Sequence, residues 1–266
     1  MYAILNGIRM AYDDQGEGVA VLLIHGYPLS RAIFAPQERA LSPHYRVIVP
    51  DLRGFGDSDA PGETYHMALL ADDLVALLDH LGVNQAVVGG LSMGGYVALA
   101  FWRHHAPRVR ALILMDTRAE ADTDEVRQSR QQAIATAWQE GSRAIAEQMA
   151  AQVLGRTTHA SRPALVEEVK QLMASTPPAG IIGALQGMLA RPAATDLLPA
   201  ISVPTLVLVG EEDAEGFQTA AQTLAERIPG ARRVTIPQAG HLITLENPSA
   251  VNAALLDFLA SLPPLP

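Results

Sequence analysis

The segment Val87-Val88-Gly89-Gly90-Leu91-Ser92-Met93-Gly94-Gly95 decides the fold. An apolar run ends at a Gly-x-Ser-x-Gly sequence, and a helical pattern from Gly95 to His104 begins at once. On such a sharp strand-to-helix turn, Gly90 and Gly94 let the two backbones come close while Ser92 holds a strained conformation. The alternative is a glycine-rich turn with an incidental serine. The flanking strand and helix favour the first interpretation, and the segment therefore predicts a nucleophile at Ser92.

Short apolar runs recur on both sides of this segment, and each is closed by a Gly, Pro or Asp turn signal. Continuous rather than alternating apolarity is typical of strands buried on both faces of a parallel sheet. Helical patterns such as Met67 to Leu81 lie between the runs, which predicts an α/β fold with a mostly parallel sheet flanked by helices. Residues 3–5 and 8–12 predict an antiparallel hairpin at its edge. The five predicted parallel strands are 19–24, 46–49, 86–88, 111–115 and 205–209.

The rhythm of strand and helix is interrupted from Arg118 to Asp196. Strand signals disappear there, and Ala, Gln, Glu and Arg recur at helical spacing with a break at Thr176-Pro177-Pro178. We predict a discontinuous core, 1–117 and 197–266, with an inserted helical cap over 118–196. Apolar residues at helical spacing in this cap are predicted to form core or pocket wall. They are Ile181, Ile182, Leu185, Met188 and Leu189.

Composition excludes several classes of function. The 266 residues carry a net charge of -9, from 19 basic and 28 acidic residues, which disfavours binding to nucleic acid or to anionic membranes. A small molecule is the expected partner. The chain has no Cys, which excludes disulfides, thiol nucleophiles and Cys-ligated metals. No apolar run approaches the roughly 18 to 20 residues that span a bilayer, and no signal peptide is recognisable, so we expect a cytoplasmic protein.

A serine nucleophile needs a base, and His241 is the candidate among eight histidines. It lies in Ile236-Pro237-Gln238-Ala239-Gly240-His241, a loop between a short strand and a helix that begins near Pro248. A side chain there can reach the carboxyl edge of the sheet. The base should be oriented by a carboxylate at a strand end, and two residues qualify. Asp213 follows the strand 205–209 and is favoured, whereas Asp116 ends the strand 111–115, and chain order alone does not choose between them.

An oxyanion formed during acyl transfer needs two fixed donors, for which backbone N–H groups are suited. The Met93 N–H follows the nucleophile directly, and the Tyr27 N–H lies in the loop after the first parallel strand, where its side chain could also wall an acyl pocket. His25, in the same loop, is expected to hold the loop by hydrogen bonds rather than to take part in chemistry.

The chain resembles the α/β-hydrolase superfamily over essentially its full length. Three motifs carry the resemblance, followed at suitable distances by Gly210-Glu211-Glu212-Asp213 and Gly240-His241. The resemblance implies an α/β-hydrolase fold and a Ser-acid-His triad, with Arg53 and Asp57 as structural partners. The motifs are His25-Gly26-Tyr27-Pro28, Asp51-Leu52-Arg53-Gly54-Phe55-Gly56-Asp57-Ser58 and Gly90-Leu91-Ser92-Met93-Gly94-Gly95.

Within this superfamily, serine at the turn argues against the haloalkane dehalogenases and epoxide hydrolases, which use a carboxylate nucleophile. The chain looks most like small capped esterases grouped with arylesterases, enol-lactonases and cofactor-free perhydrolases. That likeness implies hydrolysis of small carboxylic esters through an acyl-enzyme, with lactonase or perhydrolase activity as alternatives and no metal, nucleotide or flavin. A ligand receptor without catalysis on the same scaffold is the rival from another class.

Charged residues at the start of the cap have simpler interpretations. We expect Arg118 to form a salt bridge with nearby acidic residues, with binding of a substrate carboxylate as the alternative. Charges at helical spacing just after it predict a solvated helix face and no metal site, because no histidine accompanies them. These residues are Glu120, Asp122, Asp124, Glu125, Arg127 and Arg130.

Overall fold

Eight strands form one sheet in the computed structural model, which describes residues 1–264. Residues 265 and 266, the last two of the predicted core, lie outside the described part. The strands are β1 (Tyr2–Leu5), β2 (Ile8–Gln15), β3 (Ala20–Ile24), β4 (Arg46–Pro50), β5 (Ala86–Leu91), β6 (Val109–Met115), β7 (Thr205–Gly210) and β8 (Arg232–Ile236). Their order is β1-β2-β4-β3-β5-β6-β7-β8. β2 is antiparallel to both neighbours, and the other pairs are parallel, as the sequence predicts.

Helices cover both faces of this sheet. The α-helices of the described residues are α1 (Ala35–Leu41), α2 (Met67–His80), α3 (Met93–His105), α4 (Asp124–Glu140), α5 (Ser142–Val153), α6 (Arg156–Ser161), α7 (Pro163–Ala174), α8 (Pro178–Leu189), α9 (Glu215–Arg227), α10 (Ile243–Glu246) and α11 (Pro248–Ala260). None of these helices is both long enough and apolar enough to cross a bilayer.

Two hydrophobic clusters, one on each face, explain why the strands are apolar without alternation. Val88 and Val207 belong to the cluster that includes α2, α3 and α9. Their chain neighbours Val87 and Leu208 point into the opposite cluster, with α1 and α11. Because both faces are buried, consecutive apolar residues are all removed from water.

The strand ends differ most from the prediction in β5 and β2. β5 continues through Gly89 and Gly90 to Leu91, whereas the apolar pattern ends at Val88. The glycines remain strand because both are paired with β3 on one side and β6 on the other. β2 runs on to Gln15 because its polar end pairs with β4.

Helices α4 to α8 lie between β6 and β7 in the chain, where the sequence predicts a cap. We call residues 118–196 the cap segment, and its boundaries stay a prediction. Ile181, Leu185 and Met188 of α8 are buried in the same cluster as α2 and α3. Ile182 is partly buried against it.

Candidate active site

Ser92 occupies the turn between β5 and α3 with φ 55° and ψ -113°. A non-glycine residue rarely has positive φ, so the surroundings must hold this conformation. A Cβ at Gly90 would overlap the carbonyl oxygen of Gly94, and a Cβ at Gly94 would overlap that of Ile24. The small neighbours expected from the sequence are therefore required by backbone contact.

His241 lies in the loop between β8 and α10, and its ring is bonded to Asp213. The distance from His241 Nδ1 to Asp213 Oδ2 is 2.8 Å. Because the carboxylate accepts this bond, Nδ1 carries the proton and Nε2 is left as the basic nitrogen. The Ala214 N–H donates to the other Asp213 oxygen at 2.7 Å. The loop is fixed from the cap segment, where the Val153 carbonyl accepts the His241 N–H at 2.9 Å.

Asp116 lies behind this pair rather than against the imidazole. One of its oxygens accepts the Gly210 N–H at 2.8 Å, and the other has no donor among the described residues. Burial and the negative charge of Asp213 raise the pKa of Asp116 well above its usual value. Because two adjacent buried carboxyls do not readily both ionise, Asp116 is the member of the pair that binds a proton more readily.

The pKa of Asp213 changes in the opposite direction. Burial opposes its ionisation, but the charge and hydrogen bond of His241, with the bond from Asp116, lower its pKa below the usual value. Of the two acids that the sequence leaves open, the structure brings Asp213 into hydrogen-bond contact with His241 and places Asp116 against Asp213.

Asp116, Asp213 and His241 also form a cluster of possible metal ligands, with one ligand atom from each within 4.8 Å of the others. Hydrogen bonds already account for the cluster. Both Asp213 oxygens accept N–H donors, and one Asp116 oxygen accepts the Gly210 N–H. A cation would have to displace these bonds, so the donor set suits a hydrogen-bonded relay better than a metal.

Ser92, Asp213 and His241 line one cavity of about 460 Å³. Its walls include apolar residues of α5, α7 and α8, among them Ile145, Met149 and Met173, and also Leu185 and Met188, two of the predicted pocket-wall residues. A space of this size suits a small ligand.

Met93 and Tyr27, the residues predicted to supply backbone donors to an oxyanion, lie near Ser92, and their role stays a prediction. Met93 is the first residue of α3, where helix geometry leaves the N–H without an intrahelical acceptor. The loop of Tyr27 packs on the turn, since a Cβ at Gly26 would lie 3.3 Å from the Ser92 Cβ. Tyr27 itself lines the cavity.

His25 is fully buried and bonded to the backbone on both ring nitrogens. Its Nδ1 donates to the Gly26 carbonyl at 2.9 Å, and its Nε2 accepts the Leu52 N–H at 3.0 Å. Burial lowers the pKa of His25, so the ring stays neutral. It holds its loop by hydrogen bonds, as the sequence predicts, and it also joins that loop to the loop after β4.

Arg53 and Asp57 are both in ion pairs, although not with each other. Arg53 binds the buried Asp73 through two nitrogens at 2.7 and 2.8 Å, and Asp57 binds Arg31 at 2.9 Å. Both pairs hold the loop that follows β4.

The salt bridge predicted for Arg118 is absent among the described residues. Its guanidinium lies over the Phe217 ring, 4.2 Å from the centroid, and the same ring packs 4.4 Å from the His241 ring. The prediction is wrong because the chain turns Arg118 towards α9, where an aromatic face competes with the exposed carboxylates.

The predicted solvated helix face is also partly wrong. Asp124, Glu125 and Arg127 are exposed, but the side chain of Asp122 is only 2% exposed and binds Arg130 at 2.7 Å. Asp122 also binds Arg191, which follows α8, at 3.3 Å. The spacing of these charges along the sequence does not indicate that Asp122 and Arg130 are covered by other parts of the cap segment.

Glu246 is a second buried group that the sequence analysis missed. Its carboxylate accepts the N–H groups of Gly240 and Leu242, on either side of His241. It also binds Gly155 and Thr158 of the cap segment. An acid in the apolar run Ile243-Thr244-Leu245-Glu246 is the signal that could have found it.

Comparison with known proteins agrees with this architecture. An esterase from Thermogutta terrifontis, solved with malate bound, is 42% identical with a TM-score of 0.95 and 98% coverage of both chains. The enol-lactonase of Burkholderia xenovorans is 29% identical, with a TM-score of 0.91 and coverage of 98% of this chain and 100% of its own. The pimeloyl-[acyl-carrier protein] methyl ester esterase of Vibrio vulnificus is 29% identical, over 93% of this chain and 96% of its own.

A family model described as the alpha/beta hydrolase fold matches residues 19–248 of the chain. That match spans β3 to the start of α11 and includes the turn of Ser92 and the loop of His241. The chain therefore belongs to the α/β-hydrolase fold family.

Proposed function

We propose that the protein is a cofactor-independent serine hydrolase that cleaves small carboxylic esters through an acyl-enzyme. The observation that carries the proposal is the shared cavity in which Ser92, on its strained turn, faces the same space as His241 bonded to Asp213. A nucleophile, a base and an orienting acid are the three groups that acyl transfer needs.

In the first half of the reaction, the Ser92 oxygen attacks the ester carbonyl while His241 Nε2 takes its proton. The carbonyl oxygen becomes an oxyanion and accepts the N–H groups of Met93 and Tyr27. Collapse breaks the bond to the alcohol, which leaves with the proton from His241, and the acyl group stays on Ser92.

In the second half, His241 takes a proton from water as the water oxygen attacks the acyl carbon. The same two N–H groups bind the second oxyanion. Its collapse returns the proton to the Ser92 oxygen and releases the carboxylic acid. Asp213 remains ionised throughout, because its lowered pKa keeps a negative charge beside the imidazolium that forms in each half.

The volume of the cavity, about 460 Å³, supports a small substrate. Cleavage of a lactone would follow the same steps, with the alcohol still joined to the acyl chain, and the enol-lactonase likeness supports it as the second candidate. Hydrogen peroxide in place of water would give a peracid, so a peroxide assay separates a perhydrolase from an esterase.

The test is hydrolysis of 4-nitrophenyl esters of increasing acyl length by wild type and Ser92→Ala. We expect activity on short chains, a burst of 4-nitrophenol from acylation, and a loss of at least about a thousandfold in Ser92→Ala. Ser161→Ala, on the exposed surface of α6, is the matched control and should keep wild-type rates.

Two results would overturn the proposal. Activity that survives in Ser92→Ala would remove Ser92 as the nucleophile. Wild type that cleaves neither these esters nor simple lactones, with and without peroxide, would favour the non-catalytic receptor instead.

A further inference from the structure

A net positive charge is buried beside the cavity. Arg130 of α4 and Arg191 share one carboxylate, that of Asp122, with nitrogen to oxygen distances of 2.7 and 3.3 Å. The side chains of Arg130, Arg191 and Asp122 are 16%, 4% and 2% exposed. Two cations and one anion leave an excess of one positive charge where little water can solvate it.

The unfilled hydrogen-bonding groups around this charge can all donate. Arg130 Nη1 has a thioether as its acceptor, the Met188 Sδ at 3.2 Å. The Tyr27 hydroxyl and the Arg191 Nε are buried and have no partner within residues 1–264. Burial raises the pKa of Tyr27 and the nearby charge of Arg130 opposes this rise, so the phenol remains protonated and lies within reach of that charge. A cluster of donors with excess positive charge lacks an anionic acceptor.

This cluster opens into the cavity of Ser92. Tyr27, Arg130 and Met188 are all part of its lining. A bound substrate therefore lies next to the side chains of Arg130 and Tyr27. The Tyr27 hydroxyl is itself buried and must turn towards the cavity before it can donate to a ligand.

The order of the strands in the sheet indicates which part of a substrate lies near Arg130 and Tyr27. Tyr27 follows β3, which lies on one side of β5, whereas Asp213 and His241 follow β7 and β8 on the other side. In the proposed reaction the leaving alcohol must lie beside His241, because that ring gives it a proton. The acyl chain then extends across Ser92, towards Tyr27 and Arg130.

We infer that Arg130 and the Tyr27 hydroxyl form an anion subsite for the acyl chain. This assignment rests on the proposed function and narrows its substrate class to esters whose acyl group ends in a carboxylate, the monoesters of dicarboxylic acids. The carboxylate accepts from Arg130 Nη1 and from the phenol, and its charge balances the excess cation.

The test compares two 4-nitrophenyl esters of equal length, the monoester of adipic acid and its neutral terminal amide. We expect wild type to favour the anionic ester by about tenfold or more in kcat/KM, mainly through KM. Arg130→Gln should bring the ratio close to one, and Tyr27→Phe, which keeps the backbone N–H, should lower it. A ratio measured on one preparation does not depend on the folded fraction.

Arg127→Gln is the matched control, one turn earlier on α4, exposed, and bonded to the Leu189 carbonyl at 2.8 Å. It should leave the ratio at the wild-type value. Cleavage of both esters without preference for the anion, or with a preference that Arg130→Gln retains, overturns the subsite and leaves the proposed function intact.

A binding measurement decides the case in which neither ester is cleaved. Calorimetry with Ser92→Ala would compare the methyl monoester of adipic acid with the methyl ester of its monoamide. Binding of the anion that is about tenfold tighter, and lost in the Ser92→Ala/Arg130→Gln double variant, supports the subsite without any turnover. Equal binding of the two ligands overturns it.

Discussion

Glu246, at the end of α10, ties both sides of His241 to the cap segment. One carboxylate oxygen accepts the N–H groups of Gly240 and Leu242, both at 3.0 Å. The other accepts the Gly155 N–H and the Thr158 hydroxyl, both at 2.7 Å. The residue is buried, so water cannot replace these bonds. Removing the charge while keeping the shape, in Glu246→Gln, tests how much the fold depends on this carboxylate.

We predict that Glu246→Gln lowers the free energy of unfolding by about 3–5 kcal/mol. The amide oxygen can still serve Gly240 and Leu242, but these two bonds lose their charge assistance, at about 1 kcal/mol each. The NH2 group replaces the second acceptor. The Thr158 hydroxyl can turn to accept from it, whereas the Gly155 N–H is left buried without a partner, at about 1–3 kcal/mol.

Thermal and urea unfolding of wild type and variant provide the measurement. In a chain of this size, the loss should lower the melting midpoint by roughly 6–20 °C. Glu168→Gln, on the exposed side of α7, is the control and should change stability by less than about 0.5 kcal/mol. A loss under about 1 kcal/mol for Glu246→Gln would refute the role of the four bonds.

Two further predictions concern the ends of the central strands. Because the pKa of Asp116 is raised, the folded wild type should keep a proton that the unfolded chain releases above about pH 4, so its stability should fall as the pH rises. Asp116→Asn has no such proton and should gain stability relative to wild type by up to about 1.4 kcal/mol per pH unit. Urea unfolding at several pH values measures this gain, and a difference that is constant with pH would contradict it. Gly94→Ala should cost about 3 kcal/mol or more, since its Cβ would overlap the Ile24 carbonyl. Gly62→Ala, where a Cβ meets open space, should melt within a degree or two of wild type.

The parallel strands can be predicted because a strand that is buried on both faces consists of consecutive apolar residues. In β7, for example, every residue from Thr205 to Gly210 is buried. The ends of the strands are harder to predict from this pattern. Gly89 and Gly90 interrupt the apolar pattern but not the pairing of β5, and the polar end of β2 stays strand because β4 offers partners at the sheet edge. Pairing is a property of two strands, and one strand's composition does not reveal it.

The residues of the candidate site also fall into a group that the sequence predicts and a group that it does not. Ser92 and His241 can be predicted because local turn chemistry marks them within a few residues. Glu246 and Asp122 are not marked, since each is buried by a partner that lies far along the chain. Gly155 is 91 residues from Glu246, and Arg191 is 69 residues from Asp122. A charge pattern at helical spacing indicates a solvated face only if nothing packs on it, and in this chain the cap segment buries Asp122 against Arg191.

Sequence order leaves two acids available to His241, and the packing of neighbouring parallel strands explains why one of them is ionised. Asp116 directly follows β6, and its side chain lies against the Gly210 N–H at the end of β7. Asp213 lies three residues beyond β7, where the His241 ring and the Ala214 N–H both donate to it. Two adjacent buried carboxyls do not both ionise, so the charge resides where the donors are. Burial and the charge of Asp213 raise the pKa of Asp116, whereas the charge and hydrogen bond of His241 outweigh the burial of Asp213 and lower its pKa. The negative charge of the pair is therefore favoured on the carboxylate that is bonded to His241.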